Sequence, residues 1–150
     1  MFKNILCATD LNDASSQAVK TAVQMAHQYN ATITMLNVQE EFMTKDERGM
    51  LRVSIDVMKN QFEKNAVAAK EEMKQEISKL HADDIKVEYC LREGNPEKII
   101  CEESLKKKID LIIMGVSEKN MLVNFIYKST ASYVIDNVSI PVLVVSIKNK

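Results

Sequence analysis

Two short apolar runs in this chain end on residues that can bind or react. Ile5-Leu6-Cys7-Ala8 is followed by Thr9-Asp10, and Leu111-Ile112-Ile113-Met114 is followed by Gly115-Val116-Ser117. An aspartate just past a buried strand can accept from a ligand's hydroxyl or amine. It can also take up free backbone N–H groups at the start of the next helix, and its type alone does not choose between the two roles. Asp10 and Gly115 are therefore the first candidates for a binding site. The ends of the other apolar segments, Asn37-Val38, Arg92-Glu93-Gly94 and Ser146, complete the set of positions where a ligand could sit.

The same residues exclude several chemistries. A Walker phosphate loop is absent, and glycines at 49, 94 and 115 cannot build a dinucleotide fingerprint. Gly115-Val116-Ser117 begins like a nucleophile elbow but continues with Glu118-Lys119. His27 and His81 have no carboxylate at a ligand-like spacing and read as surface or packing residues. Cys7, Cys90 and Cys101 are odd in number and far apart, which argues against a disulfide framework or a zinc site. A phosphorylated receiver domain needs an acceptor aspartate ending its third strand, where this chain reads Leu91-Arg92-Glu93-Gly94. No catalytic residue and no metal ligand is predicted.

A chain of 150 residues has the size of one domain, and residues 1–150 are expected to form one. Apolar residues at 46% and charged residues at 27% are globular values. The net charge of −1 excludes a polyanion binder running on bulk electrostatics, so no nucleic-acid partner is expected. The N-terminus lacks a signal-peptide layout, and no run approaches the roughly 20 apolar residues of a membrane span. The expectation is a cytoplasmic protein without a membrane partner.

The elements that position these residues alternate. Phe2–Ala8 reads as a buried strand, and Asn12 or Asp13 can cap a helix running to about Tyr29, with Ala18, Ala22, Met25 and Tyr29 on one face and Asn30 as its left-handed end. Residues 31–38 form a second strand, and residues 39–50 are mostly loop. Ile55, Met58, Phe62, Ala66, Ala69, Met73, Ile77 and Leu80 recur every three or four residues, the mark of one long amphipathic helix. Ile85, Val87, Tyr89 and Leu91 alternate with Lys86, Glu88, Cys90 and Arg92, which predicts a strand with one wet face near a sheet edge. Asn95-Pro96-Glu97 starts a third helix that ends in lysines 106 to 108. Leu111–Met114 is a central strand ended by Gly115, a helical region lies between 121 and 136, and Pro141–Ile147 is the last strand. Five strands alternating with helices predict an α/β fold with a doubly wound, open parallel sheet and helices on both faces.

Several of these segments, taken in order, resemble one family. They are Ile5-Leu6-Cys7-Ala8-Thr9-Asp10 with Ser15 and Ser16, Met35-Leu36-Asn37-Val38, Gly94-Asn95-Pro96 with Ile99-Ile100, and Asp110 to Gly115. Ser129-Thr130-Ala131 with Val134, and Val138 to Val145, complete the set. Together they look like a single-domain bacterial universal stress protein, over essentially the whole chain. The resemblance implies strand order 3-2-1-4-5 and a break before a fourth helix that starts near Ser129.

ATP-binding members of that family resemble one another in a G-x2-G-x9-G-[ST] pattern after the fourth strand. Here Gly115 holds the first position, Glu118 the second, Lys128 the third and Ser129 the hydroxyl position, with Thr130 beside it. The resemblance places Asp10 and Val38 at the adenosine end of a pocket, and Gly115, Ser129 and Thr130 at the phosphate end. Glu118 and Lys128 replace glycines that let backbone N–H groups approach phosphates, so ATP binding is expected to be weak or lost. The expected function is a stress-response regulatory protein without turnover, acting through an unidentified protein partner. The alternative is an ATP-binding switch with at most slow hydrolysis. An edge position for the apolar fifth strand further predicts a homodimer joined through that strand.

Overall fold

The computed structural model describes residues 1–40, 47, 49, 50, 54–117 and 130–147. Its elements in chain order are β1 (Asn4–Ala8), α1 (Asp13–Tyr29), β2 (Thr32–Gln39), α2 (Ile55–Lys79), β3 (Val87–Glu93), α3 (Pro96–Lys106), β4 (Leu111–Ser117), α4 (Thr130–Asn137) and β5 (Val142–Ile147). The strands form one parallel sheet in the order β3-β2-β1-β4-β5, as the resemblance implied.

The helix boundaries follow from local chemistry. Asn12 caps α1 by accepting from the Ser15 N–H, and Asn30 ends it with φ 55° and ψ 51°. Asn95 caps α3 by accepting from the Lys98 N–H, with Pro96 in the first turn, where its missing N–H leaves no helical hydrogen bond unmade. Gly94, with φ +140°, bridges β3 to that cap, and a Cβ there would sit 2.9 Å from Ile99 Cδ1.

Each face of the sheet carries its own core. On one, Ile5, Cys7, Ile33, Met35, Leu111 and Ile113 meet Ala18, Ala22 and Ala26 of α1 and Met73 and Ile77 of α2. On the other, Leu6, Leu36, Ile112 and Met114 meet Ile100 of α3 and Ala131 and Val134 of α4. Successive residues of β1 and β4 thus feed opposite cores, which is why both strands read as continuously apolar.

Several sequence expectations need correction. The buried face of α1 is Ala14, Ala18, Ala22 and Ala26 with Val19 and Val23, whereas Met25 and Tyr29 are only partly buried at its margin. The α2 stripe is buried at Met58, Ala69, Met73 and Ile77, Phe62 is half-buried, and Ile55 is exposed because the helix begins there. Glu47, Gly49 and Met50, expected in a loop, are helical, and Gln39 belongs to β2; residues 41–46, 48 and 51–53 lie outside the described residues. Cys90 is buried against Ile100, so the second face of β3 is not wet along its length. Gly115 does not end β4: pairing of Gly115, Val116 and Ser117 with Val145, Ser146 and Ile147 carries the strand on. His27 lies on the surface, in keeping with its reading as a surface residue; its ring nitrogen is 3.0 Å from Asp84, and that hydrogen bond holds Asp84 below the ordinary aspartate range. The expected break before α4 falls in residues 118–129, outside the described residues.

One polar contact joins the two helices on the first face. Ser16 Oγ donates to Glu76 Oε1 at 3.2 Å, while Glu76 Oε2 is buried without a partner. Burial pushes the Glu76 carboxyl above its usual range. Burial, and secondarily the Glu76 charge, pushes the Cys7 thiol up to about 12. A folded-state pKa above the unfolded one stabilises at low pH and loses that contribution as pH rises through the folded value. Glu76→Gln is therefore expected to raise the urea midpoint above that of the unmodified protein at pH 7.5, with a smaller gap at pH 4.5. Equal midpoints at both pH values would contradict this account of Glu76.

Candidate functional site

A cavity of about 280 Å³ opens at the carboxyl ends of β1 and β4. These two strands are neighbours at the point where the strand order reverses, since β1 leads to β2 on one side while β4 and β5 lie on the other. The adjoining loops turn to opposite faces there, which leaves a crevice between them. Its floor is apolar, from Ala8, Leu36, Val38, Ile100 and Met114.

The loop after β1 forms one wall. Thr9 is buried; its N–H donates to Leu36 O at 2.9 Å, and its carbonyl accepts from Asn37 Nδ2 at 2.9 Å. Leu11 is left-handed, with φ 69°, at a cost of roughly 1–3 kcal/mol for a non-glycine residue. Thr9 Oγ1 holds that turn by accepting from the Leu11 N–H at 3.0 Å. Asp10 closes the network: its carboxylate accepts from Ser15 Oγ at 2.6 Å, Asn12 Nδ2 at 2.7 Å and Asn12 N at 3.1 Å. The Asp10 N–H donates back to Ser15 Oγ at 3.1 Å. Asp10 thus helps organise the start of α1 and also lines the cavity, so both roles open to it in the sequence are present together.

Gly115 has a packing reason to be glycine. A Cβ there would collide with the Ala14 carbonyl, 2.5 Å from its carbon, and would stand 2.9 Å from the Ser15 nitrogen. Strand β4 therefore passes directly against the first turn of α1. That contact brings Ser15 and Gly115 to the same cavity.

Two helix starts border the opening: Ser15 belongs to the first turn of α1 and Pro96 begins α3, and both line the cavity with Thr130 and Ala131 of α4. Free N–H groups and the aligned peptide dipoles make a helix N-terminus favourable for negative charge or for oxygen acceptors. The charged residues among the described lining are Asp10 and Glu40. The site therefore combines an apolar floor, helix starts and two carboxylates.

Of the residues singled out in the sequence, Asp10, Val38, Gly115 and Thr130 line this one cavity. Ser129, Glu118 and Lys128 lie outside the described residues. Glu40, Pro96, Ile100 and Ala131 were missed. The first could have been found, since the two-residue period of β2 carries Leu36 and Val38 on to position 40. Burial raises both Cys90 and Cys101 above the ordinary cysteine range, which opposes thiol chemistry at those residues. Among the described residues no group of three or more His, Cys, Asp or Glu side chains could hold a metal ion. No described helix is long and apolar enough to cross a membrane.

The sequence pattern of the universal stress protein family matches residues 1–146. A universal stress protein of Methanocaldococcus jannaschii is 29% identical over 147 residues, covering 97% of this chain and 82% of the relative. The solved universal stress protein UspA from Lactobacillus plantarum superposes with a TM-score of 0.76 at 26% identity, over 96% of this chain and 97% of that one. A universal stress protein solved in complex with cAMP superposes with a TM-score of 0.70 at 21% identity, over 96% and 97% of the two chains.

The contact between β4 and α1 is open to a direct test. Gly115→Ala is expected to lower the unfolding free energy by about 1–3 kcal/mol, because a backbone carbonyl cannot move aside as a side chain can. Urea melts that superpose on those of the unmodified protein would show that the two elements are not in close contact.

Proposed function

The chain belongs to the universal stress protein family, and on that premise we propose that it is a regulatory protein of the stress response whose pocket takes an adenosine-bearing ligand but holds ATP weakly or not at all. The observation that carries this reading is the convergence of Asp10, Val38 and Gly115 on the switch-point cavity. Opposed to ATP are Glu118 and Lys128, which stand where ATP-binding members carry glycine. The cAMP complex of a structural neighbour supports an adenosine-type ligand in this fold. This reading is without turnover, in keeping with an Asp10 carboxylate that accepts hydrogen bonds from Asn12 and Ser15. A second reading, an ATP-dependent switch with slow hydrolysis, draws support from the helix starts around the cavity, which favour an anion.

The proposal includes a cytoplasmic homodimer that acts on a protein partner. Strand β5 is an edge, and Val144 on it is 38% exposed. Its outer N–H and C=O groups need a partner, and a second copy related by a twofold axis supplies one.

Titration calorimetry with Mg-ATP is expected to show no saturable site below about 100 µM, equivalent to about −5.5 kcal/mol. A micromolar fit, or ATP released on denaturing the purified protein and seen by mass spectrometry, favours the switch. Light scattering at tens of micromolar is expected to give the dimer mass, and Val144→Lys to reduce it; a monomer mass for the unmodified protein overturns the dimer.

A further inference from the structure

Asn12 stands between the cavity and the first turn of α1, and its side chain bonds to both. Its Oδ1 accepts from the Ser15 N–H at 2.9 Å, and its Nδ2 donates to Asp10 Oδ2 at 2.7 Å. We infer that Asn12 is a positioning residue, which holds the Asp10 carboxylate in the orientation in which the pocket accepts a hydrogen bond from its ligand. The inference rests on the reading of the cavity as an adenosine-binding pocket and adds a residue outside the cavity lining that sets the affinity of that site.

Both oxygens of the Asp10 carboxylate are tethered, and by different donors. Oδ1 accepts from Ser15 Oγ at 2.6 Å and from the Asn12 N–H at 3.1 Å. Among the described residues, Oδ2 accepts from the Asn12 amide alone. Bonds to one oxygen leave a carboxylate free to turn about its soft terminal torsion, and a bond to the second oxygen removes that freedom. Such charge-assisted bonds are about twice as strong as neutral ones. The amide is itself fixed from both sides: turned over, it would set its NH2 against the Ser15 N–H and its oxygen against a carboxylate. Capping α1 needs only an acceptor, and an aspartate caps as well as an asparagine. The donor toward Asp10 is what the amide adds.

The main chain here has other supports. Thr9 Oγ1 accepts from the Leu11 N–H at 3.0 Å, and the Asn12 carbonyl accepts from the Ser16 N–H at 3.0 Å. Loss of the amide therefore leaves the loop in place and frees the carboxylate. An acceptor that must be ordered by its ligand binds more weakly than one already oriented.

The test is calorimetric titration of the full chain with adenosine at pH 7.5 and pH 4.5, for the unmodified protein, Asn12→Asp and Asn12→Gly. N-cap positions tolerate both replacements, so both variants are expected to keep the helicity of the unmodified protein. At pH 7.5, Asn12→Gly is expected to lower adenosine affinity about three- to tenfold, and Asn12→Asp by at least about tenfold, because a second carboxylate then faces Asp10. At pH 4.5 the two carboxyl groups of Asn12→Asp share a proton, which restores a donor to Asp10. Its affinity should return to within about threefold of the unmodified protein at that pH, while Asn12→Gly stays weak. Glu40 in the cavity lining, Asp13 at the start of α1 and Glu76 beside Ser16 are common to all three proteins, so comparison at each pH removes their effects.

Affinities within twofold of the unmodified protein in both variants at pH 7.5 overturn the positioning role and leave the pocket reading intact. Weaker binding accompanied by a matching loss of helicity also overturns it and marks Asn12 as a helix cap alone. So does a deficit in Asn12→Asp that persists at pH 4.5. No adenosine binding by the unmodified protein overturns the pocket reading and the positioning role with it.

Discussion

The close approach of β4 to the first turn of α1 is the constraint on which the rest of the structure depends. At Gly115 there is no room for even one additional carbon, because the Ala14 carbonyl occupies the space a Cβ needs. Alanines at 14, 18, 22 and 26 present a row of small side chains to the sheet, so the whole helix can lie close to it. Interiors pack as densely as organic crystals, and a helix seated that low fixes what surrounds its ends. Its N-terminus is thereby held beside the carboxyl ends of β1 and β4, where the strand order reverses.

The pocket follows from that placement. Once α1 is seated, the four residues between β1 and α1 must turn sharply, and Leu11 takes up the left-handed conformation that the turn requires. Thr9, Asn12 and Ser15 supply the hydrogen bonds that keep it there, and each of those bonds also restrains the Asp10 loop. Binding groups on a strained, heavily hydrogen-bonded loop need little ordering when a ligand arrives, which lowers the entropic cost of association. On the opposite face, α3 brings its start to the same opening through Pro96, and α4 contributes Thr130 and Ala131.

Much of this was legible in the sequence because local chemistry and tertiary structure agree. The caps at Asn12 and Asn95, the left-handed Asn30 and the length of α2 came from side-chain types and spacing. The strand order came from the family resemblance. What the sequence hid was three-dimensional. Gly115 reads as a strand terminator or a ligand-binding glycine, and only the position of Ala14 reveals its packing role. Cys90 falls on the polar side of an alternating strand, yet α3 covers it. Met25 and Tyr29 fit a helical stripe, but a sheet accepts the smaller alanines and leaves the large side chains at the margin. Glu40 escaped notice because a polar residue at the end of an apolar strand looks like the start of a loop.

The most direct test of the switch-point pocket is a nuclear magnetic resonance titration of the nitrogen-15-labelled chain with adenosine. The account expects saturable amide shifts concentrated at Thr9, Asp10, Val38, Gly115, Thr130 and Ala131, all of which line the one cavity. Shifts confined to another surface, such as the exposed face of α2, or no shifts at millimolar adenosine, would contradict it.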